Sequence, residues 1–427
     1  MDAFSVSAFE RVRGVLAVFA LQLRFATLGL KSNRVRPGEA CELAVCCQAY
    51  LARLHRRRFE RVLWQHPLRG ARGASLEALC RTRELALVAA ALAGPGCVRP
   101  LCAASRAAEQ SVGAVASELW DMFPAALYSV GGVRCGGGLL SSAERIGLGA
   151  DASTETVASL AAPRAVCAAV PLAGKVYVAA GRGADGAALS SVESYDPRLN
   201  VWGELPHLRR ARGWVAAAGV SGRLCVLGGE ADDAITLDVA EQMDVSSHGG
   251  FASEVAAWAP LPALRCPRWA AAAAALRGCV YLAGGHHADG SVLGDVERLA
   301  PGASGWERLH PLRCPRAAFA MAALAGALYV VGGYGRQERG LRSLERLDPA
   351  CGVWETLAAM AAPRWGLGAA GCGGSLYVVG GSARGPGDAD AEVNVSVVTR
   401  FDPKLGAWSP AGRLRTARRC CGVVACR

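Results

Sequence analysis

Six arginines stand in register along this 427-residue chain: Arg164, Arg212, Arg268, Arg316, Arg364 and Arg418. Each opens a run of small and apolar residues, as in "APRWGLGAA" at 362–370. A guanidinium is a rigid planar fork of donors, so the chemistry it offers is paired recognition of carboxylate or phosphate. Two readings of the repeated arginine stand side by side. Either the six circle one rim of a ring and bind an acidic partner, or each is architectural and pairs with a glutamate such as Glu193, Glu297 or Glu345. Residues that break a repeat carry specificity better than residues that keep it. Trp214, Trp269 and Trp365 follow three of the arginines and do break it. Aromatic and arginine side chains together make interface hot spots, although the same tryptophans would also serve as packing. Arg265 and Arg313 add charge to the same rim.

Other reactive chemistry is thin. The seven histidines form no HExxH arrangement, and His286–His287 is an adjacent loop pair, expected to be solvated and not to ligate a metal. No nucleophile elbow, phosphate loop or dinucleotide fingerprint occurs. The seventeen cysteines are odd in number and include no CxxC pair, so free thiols and a cytoplasmic or nuclear location are expected. No catalytic residue, metal or cofactor is assigned, and the expectation is a non-enzymatic protein.

The formal charge of +11 would concentrate acidic partners around the molecule. "RLHRRRFER" at 53–61 could form a basic stripe, but no recognition motif accompanies it, so nucleic acid is not expected. The apolar stretch at 14–30 is interrupted by Gln22 and Arg24, which argues against a membrane span.

The elements that position the arginines follow from a period. "LYVVGG" occurs twice, at 328–333 and 376–381, and related doublets precede and separate them. The second glycines are Gly132, Gly181, Gly229, Gly285, Gly333 and Gly381, at intervals of 49, 48, 56, 48 and 48 residues. Their first members are Gly131, Gly228, Gly284, Gly332 and Gly380, with Ala180 in the second unit. A glutamate-bearing strand, an Asp-Pro turn and a tryptophan follow on the same beat, the last at Trp202, Trp258, Trp306, Trp354 and Trp408. Each unit reads as four short strands, too few to bury both of their own faces. Radial stacking of such units gives a β-propeller.

These residues resemble a kelch-repeat propeller, covering 123–427. The first unit, with neither Trp nor Asp-Pro, and the lengthened third unit depart from the pattern. The first unit lacks an arginine-led strand, whereas the chain ends in one, "TARRCCGVVACR" at 416–427. The last strand is therefore expected to complete the first blade and close a six-bladed ring.

Residues 1–122 read as a small all-helical module, with helical periodicity at 38–64 and 75–94 and a third stretch at 105–120. The segment 41–64 is loosely similar to the BACK domain of the kelch-like adaptors of cullin ubiquitin ligases, but no BTB domain is recognisable within 1–122. In that family, arginines at the place of the six named above face the bound substrate segment. The resemblance thus implies a substrate-recognition subunit of a cullin-type ubiquitin ligase, holding an acidic peptide at an arginine-rich face. The alternative is an actin-associated cytoskeletal scaffold, which kelch proteins also furnish.

Overall fold

The second strand of each unit is almost continuously apolar ("KVYVA", "RLCVL", "CVYLA", "ALYVV") and is buried along nearly its whole length. Such a strand needs cover on both faces, and only neighbouring sheets can supply it. A computed structural model describes residues 126–148, 153–245, 257–338, 340–385 and 388–426 of the chain. The helices expected in 1–122 lie outside those residues. The chain divides into two compact units, of which the one formed by 124–197 and 201–427 is described here.

That unit is a ring of six antiparallel sheets. Blade two shows the plan, running outward from Ala168–Leu172 through Lys175–Ala179 and Val192–Asp196 to Val201–Leu205. Blades three, four and five repeat it from innermost strands Ala216–Val220, Ala272–Leu276 and Ala320–Leu324. Blade six begins at Trp365–Cys372, and its second strand, Ser375–Gly385, extends into a hairpin with Asp388–Asn394. In blade one the innermost strand is the C-terminal Gly422–Cys426, paired with Ala126–Val130 in a register running from Ala126↔Cys426 to Val130↔Gly422. The expected closure is the one observed.

The six cores lie between blades rather than within them. Val170, Tyr177 and Val192 of blade two pack with Val215, Leu224 and Met243 of blade three, and the pattern continues around the ring. Burying each large side chain is worth about 1.5–3 kcal/mol, so a blade removed from its neighbours loses most of what holds it.

Each repeat tryptophan also ties its blade to the previous one. Its indole N–H donates to a carbonyl of the loop leaving that blade: Trp202 to Ala158, Trp258 to Pro206, Trp306 to Pro262, Trp354 to His310 and Trp408 to Ala358, at 2.7–3.1 Å. Blade one has no tryptophan, and there the Thr154 hydroxyl donates to the Arg413 carbonyl at 2.6 Å.

The glycine doublets are where adjacent blades come into backbone contact. Gly284 and Gly285 have φ of 58° and 94°. A Cβ at Gly284 would lie 2.5 Å from the Arg316 carbonyl oxygen, and one at Gly285 would lie 2.6 Å from that of Trp269. The Gly285 N–H donates to the Arg316 carbonyl of the next blade at 2.9 Å. Ala180 holds the same left-handed conformation at φ 61° without the freedom of glycine.

Candidate functional site

The six repeated arginines lead into the innermost strands, and their side chains turn into the protein. Arg164, Arg212, Arg268, Arg316 and Arg418 are 0–1% exposed. Each pairs with a glutamate on the third strand of its own blade: Arg164–Glu193 at 2.5 Å, Arg212–Glu241 at 2.6 Å, Arg268–Glu297 at 2.5 Å, Arg418–Glu144 at 2.5 Å, and Arg316–Glu345. Backbone carbonyls take further guanidinium N–H groups, such as Gly284 from Arg268 at 3.1 Å and Gly332 from Arg316 at 3.0 Å. Burial lowers the pKa of Arg212, opposed by the nearby Glu241 carboxylate. The picture of six guanidinium groups lining a rim is corrected accordingly. Five are sealed in ion pairs because the third strand carries a carboxylate at the same height. Arg364 is buried as well, at 8% exposure, but has no such glutamate.

Arg265 and Arg313, expected to add rim charge, instead donate to the carbonyls of Trp306 (3.3 Å) and Trp354 (2.8 Å) and brace the outer strands.

The residues that do meet at the axis come next in sequence. Val166, Trp214, Ala270, Ala318, Gly366 and Cys420 each stand two positions after an arginine, with φ between 49° and 60°. In this left-handed conformation each donates its N–H to the previous blade's ring residue and offers its carbonyl to the next. Trp214 donates to Val166, Ala270 to Trp214, Ala318 to Ala270, Gly366 to Ala318, Cys420 to Gly366, and Val166 to Cys420, at 2.6–3.0 Å. The result is a closed backbone ring around the mouth. A β-branched residue at φ 51°, as at Val166, is costly, and the cyclic bonding offsets that cost.

Side chains are passed from blade to blade around this mouth. Trp214 meets Trp269 edge-on with ring centroids 5.6 Å apart, and Trp269 stacks on His286 at 4.4 Å. His286 Nε2 lies 2.9 Å from the Tyr334 hydroxyl, Tyr334 meets Trp365 edge-on at 6.0 Å, and the Arg419 guanidinium covers Trp365 at 5.0 Å. The three predicted tryptophans are thus brought together, half-buried, in an arc spanning blades three to one. Between the ends of the arc, at blades two and three, lies a charged segment in which Arg182 pairs with Glu230 (3.1 Å) and Asp232 (3.3 Å). Gly213 leaves room for that reach, since a Cβ there would lie 2.9 Å from Arg182 Cγ.

Tyr334, Arg182 and Glu230 carry no signal among the motifs named from the sequence, and His286, expected there to be a solvated loop residue, is instead buried against Trp269. Each directly follows a glycine doublet or its Ala-Gly equivalent, where the six units read Val133, Arg182, Glu230, His286, Tyr334 and Ser382. That variation between otherwise matched units was the available signal. Arg419 sits beside an arginine already assigned, which hid it.

Neither member of the histidine pair faces the other. His286 turns to the mouth, while His287 Nδ1 lies 3.2 Å from Asp289 Oδ1. Among the described residues no three His, Cys, Asp or Glu side chains are grouped to hold a metal ion, and no helix is long and apolar enough to cross a membrane. A cleft of about 370 Å³ between blades four and five is lined by Tyr281, Arg298, Arg308 and His310. Its arginines are engaged by Glu307 (2.5 Å) and Asp295 (2.8 Å), which leaves the mouth as the stronger site.

The mouth should be sensitive to acid. The Gly290 carbonyl can only accept, so His286 Nδ1 carries the proton and Nε2 accepts from Tyr334. Burial lowers the His286 pKa from 6.5, with the bond to Gly290 opposing the shift. The unfolded chain therefore takes up this proton at higher pH than the folded protein. Stability from His286 is complete above about pH 6.5 and is lost as pH falls toward the lower folded value. Urea midpoints at pH 7.5 and 5.5 should fall with acid, and His286→Phe should flatten part of that slope. An unchanged slope in the variant would assign the acid sensitivity elsewhere.

Comparison with known proteins agrees with this architecture. The Kelch motif family matches residues 163–209 and 315–361, which contribute to blades two and five. The chain is 38% identical over 101 residues to an F-box/kelch-repeat protein of Arabidopsis thaliana, covering 23% of this chain and 27% of that protein. It is 32% identical over 113 residues to Kelch-like protein 33 of Homo sapiens, covering 26% of this chain and 20% of that one. The matches thus span about a quarter or less of those relatives' lengths. The solved structure of YjhT superposes with a TM-score of 0.50 at 14% identity, over 61% of this chain and 87% of that one, a likeness of fold alone. Repeat, register and matched motifs agree, and the chain is a kelch-repeat β-propeller protein.

Proposed function

We propose that this protein-interaction module holds a segment of a partner protein at the propeller mouth and presents it to a cullin-type ubiquitin ligase. The observation that carries the reading is the continuous arc Trp214–Trp269–His286–Tyr334–Trp365–Arg419. It is built from residues that break the repeat and is laid on a backbone ring that does not. Large half-buried aromatics and an arginine supply contact area at low entropic cost. Arg419 at the end of the arc suits an acidic group on the bound segment. The ligase role is supported by the kelch repeats shared with proteins named F-box/kelch-repeat and kelch-like. In that role the chain contributes proximity and the ligase contributes catalysis.

The test is affinity capture from lysate with the full chain and with a Trp269→Ala/Trp365→Ala variant whose folding is confirmed by circular dichroism. Loss of two hot-spot side chains at about 2 kcal/mol each should weaken a mouth-bound partner by about a hundredfold or more, while a captured cullin is retained. Capture of actin without cullin would replace the adaptor reading with the scaffold one. Retention of every partner by the variant would remove the mouth as the recognition face.

A further inference from the structure

Five blades complete their arginine clasp from within, and the sixth does not. In blades one, two, four and five the glutamate accepts loop amides as well as the guanidinium. Glu144 takes the N–H of Arg415 and Thr416, Glu193 that of Ala161, Glu297 that of Arg265, and Glu345 those of Arg313 and Cys314. In blade six the corresponding residue is Thr399. It lies opposite Val378, just as Glu193 lies opposite Val178 and Glu345 opposite Val330.

Arg364 keeps the rest of the arrangement. It donates to the Val397 carbonyl at 3.2 Å, two residues before Thr399, as Arg164 does to Ser191 (3.2 Å) and Arg418 to Ser142 (2.9 Å). This is the one hydrogen bond its guanidinium makes among the described residues, and it has no carboxylate partner there. The Thr399 hydroxyl is buried without a partner. The Ala361 amide occupies the loop position from which Ala161, Arg265, Arg313 and Arg415 reach their glutamates, and it has no acceptor among the described residues.

A threonine side chain ends one atom beyond Cβ, whereas the glutamate carboxyl carbon lies two beyond. The space that a carboxylate fills in the other blades is therefore not reached by Thr399, and the third strand carries a register shift at that residue. Arg364 is also the most exposed of the six arginines, at 8% against 0–1% for the others. An isolated buried guanidinium is unfavourable without a counter-charge.

We infer that blade six is a carboxylate-binding site, in which Arg364, Thr399 and the Ala361 amide take an external carboxylate where the other blades supply their own. The site stands independently of the partner segment proposed for the mouth. Its ligand is a carboxylate group, whether of a free small acid or of a glutamate presented by another chain.

The test uses the full chain without any partner protein. Thermal unfolding is followed at pH 7.5 and fixed ionic strength while formate, acetate, phosphate or N-acetyl-glutamate amide replaces chloride. Formate or acetate should raise the midpoint saturably by several degrees, as a ligand of the folded state does. Thr399→Glu should start higher and no longer respond, and Arg364→Met should not respond. A stronger response to N-acetyl-glutamate amide than to acetate would identify a presented side chain as the source, and the reverse a free acid. Equal responses in wild type and Thr399→Glu, no response in wild type, or a response to phosphate alone would overturn the site. Should Arg364→Met fail to fold, Thr399→Glu decides.

Discussion

Replacing Glu345 with alanine is expected to destabilise the propeller by about 3–5 kcal/mol, the usual cost of leaving one member of a buried ion pair without the other. The residue is almost wholly buried, pairs with Arg316, and also receives the amides of Arg313 and Cys314. Its loss leaves a guanidinium and two loop donors without a carboxylate in the interior. Urea unfolding monitored by tryptophan fluorescence measures the effect. An Arg316→Met/Glu345→Leu pair provides the control. Removing both charges should recover much of the stability, because a buried pair is stabilising mainly relative to half of itself. A shift below about 0.5 kcal/mol for Glu345→Ala, the range of ordinary surface changes, would show that the clasp does not hold the blade.

Deleting residues 418–427 should have the larger effect and abolish the cooperative unfolding transition. The deletion removes the five-residue pairing with Ala126–Val130, the Arg418–Glu144 pair and the ring residue Cys420 together. It leaves Ala126–Val130 as an unpaired inner edge and uncovers the apolar surfaces of blades two and six, a combination that favours aggregation. Near-ultraviolet circular dichroism and size-exclusion chromatography would report the loss. Cys420→Ser is the matched point variant. Because the ring uses backbone groups, it should leave the transition close to that of the unchanged chain. A cooperative, monodisperse product of the deletion would mean that blade one holds without its innermost strand.

The blade plan was legible because it repeats. The doublet, the Asp-Pro turn and the tryptophan each mark one place in a four-strand sheet, and the mismatch between the two chain ends revealed the closure. What sequence left open was direction. Spacing puts Arg164 and its counterparts at the start of an inner strand, but it does not say whether the side chain turns to the axis or into the blade. That depends on a third-strand glutamate 29 residues on in blades two to five. In the sixth unit the hairpin insertion moves the corresponding place to Thr399, 35 residues after Arg364, so a fixed-spacing comparison passes over it. Tyr334 was hidden for a different reason, and His286 reads as a solvated loop residue for the same one. Both directly follow a glycine doublet, the most regular feature of the chain, and nothing in the spacing says that the residue after it turns to the axis.

The ring of Val166, Trp214, Ala270, Ala318, Gly366 and Cys420 has a consequence for the language in which this face can be read. Every amide and carbonyl that forms the ring is spent within it. A visiting chain therefore finds there no open strand edge to extend, and β-augmentation, which gains affinity from main-chain bonds regardless of sequence, has no foothold on the ring. A partner held at the mouth, as proposed, would have to be recognised over the ring by side chains. Substituting Trp269, His286 or Tyr334 then changes what is recognised while the scaffold's own bonds stay in place, so the vocabulary of the site can be exchanged without disturbing its grammar.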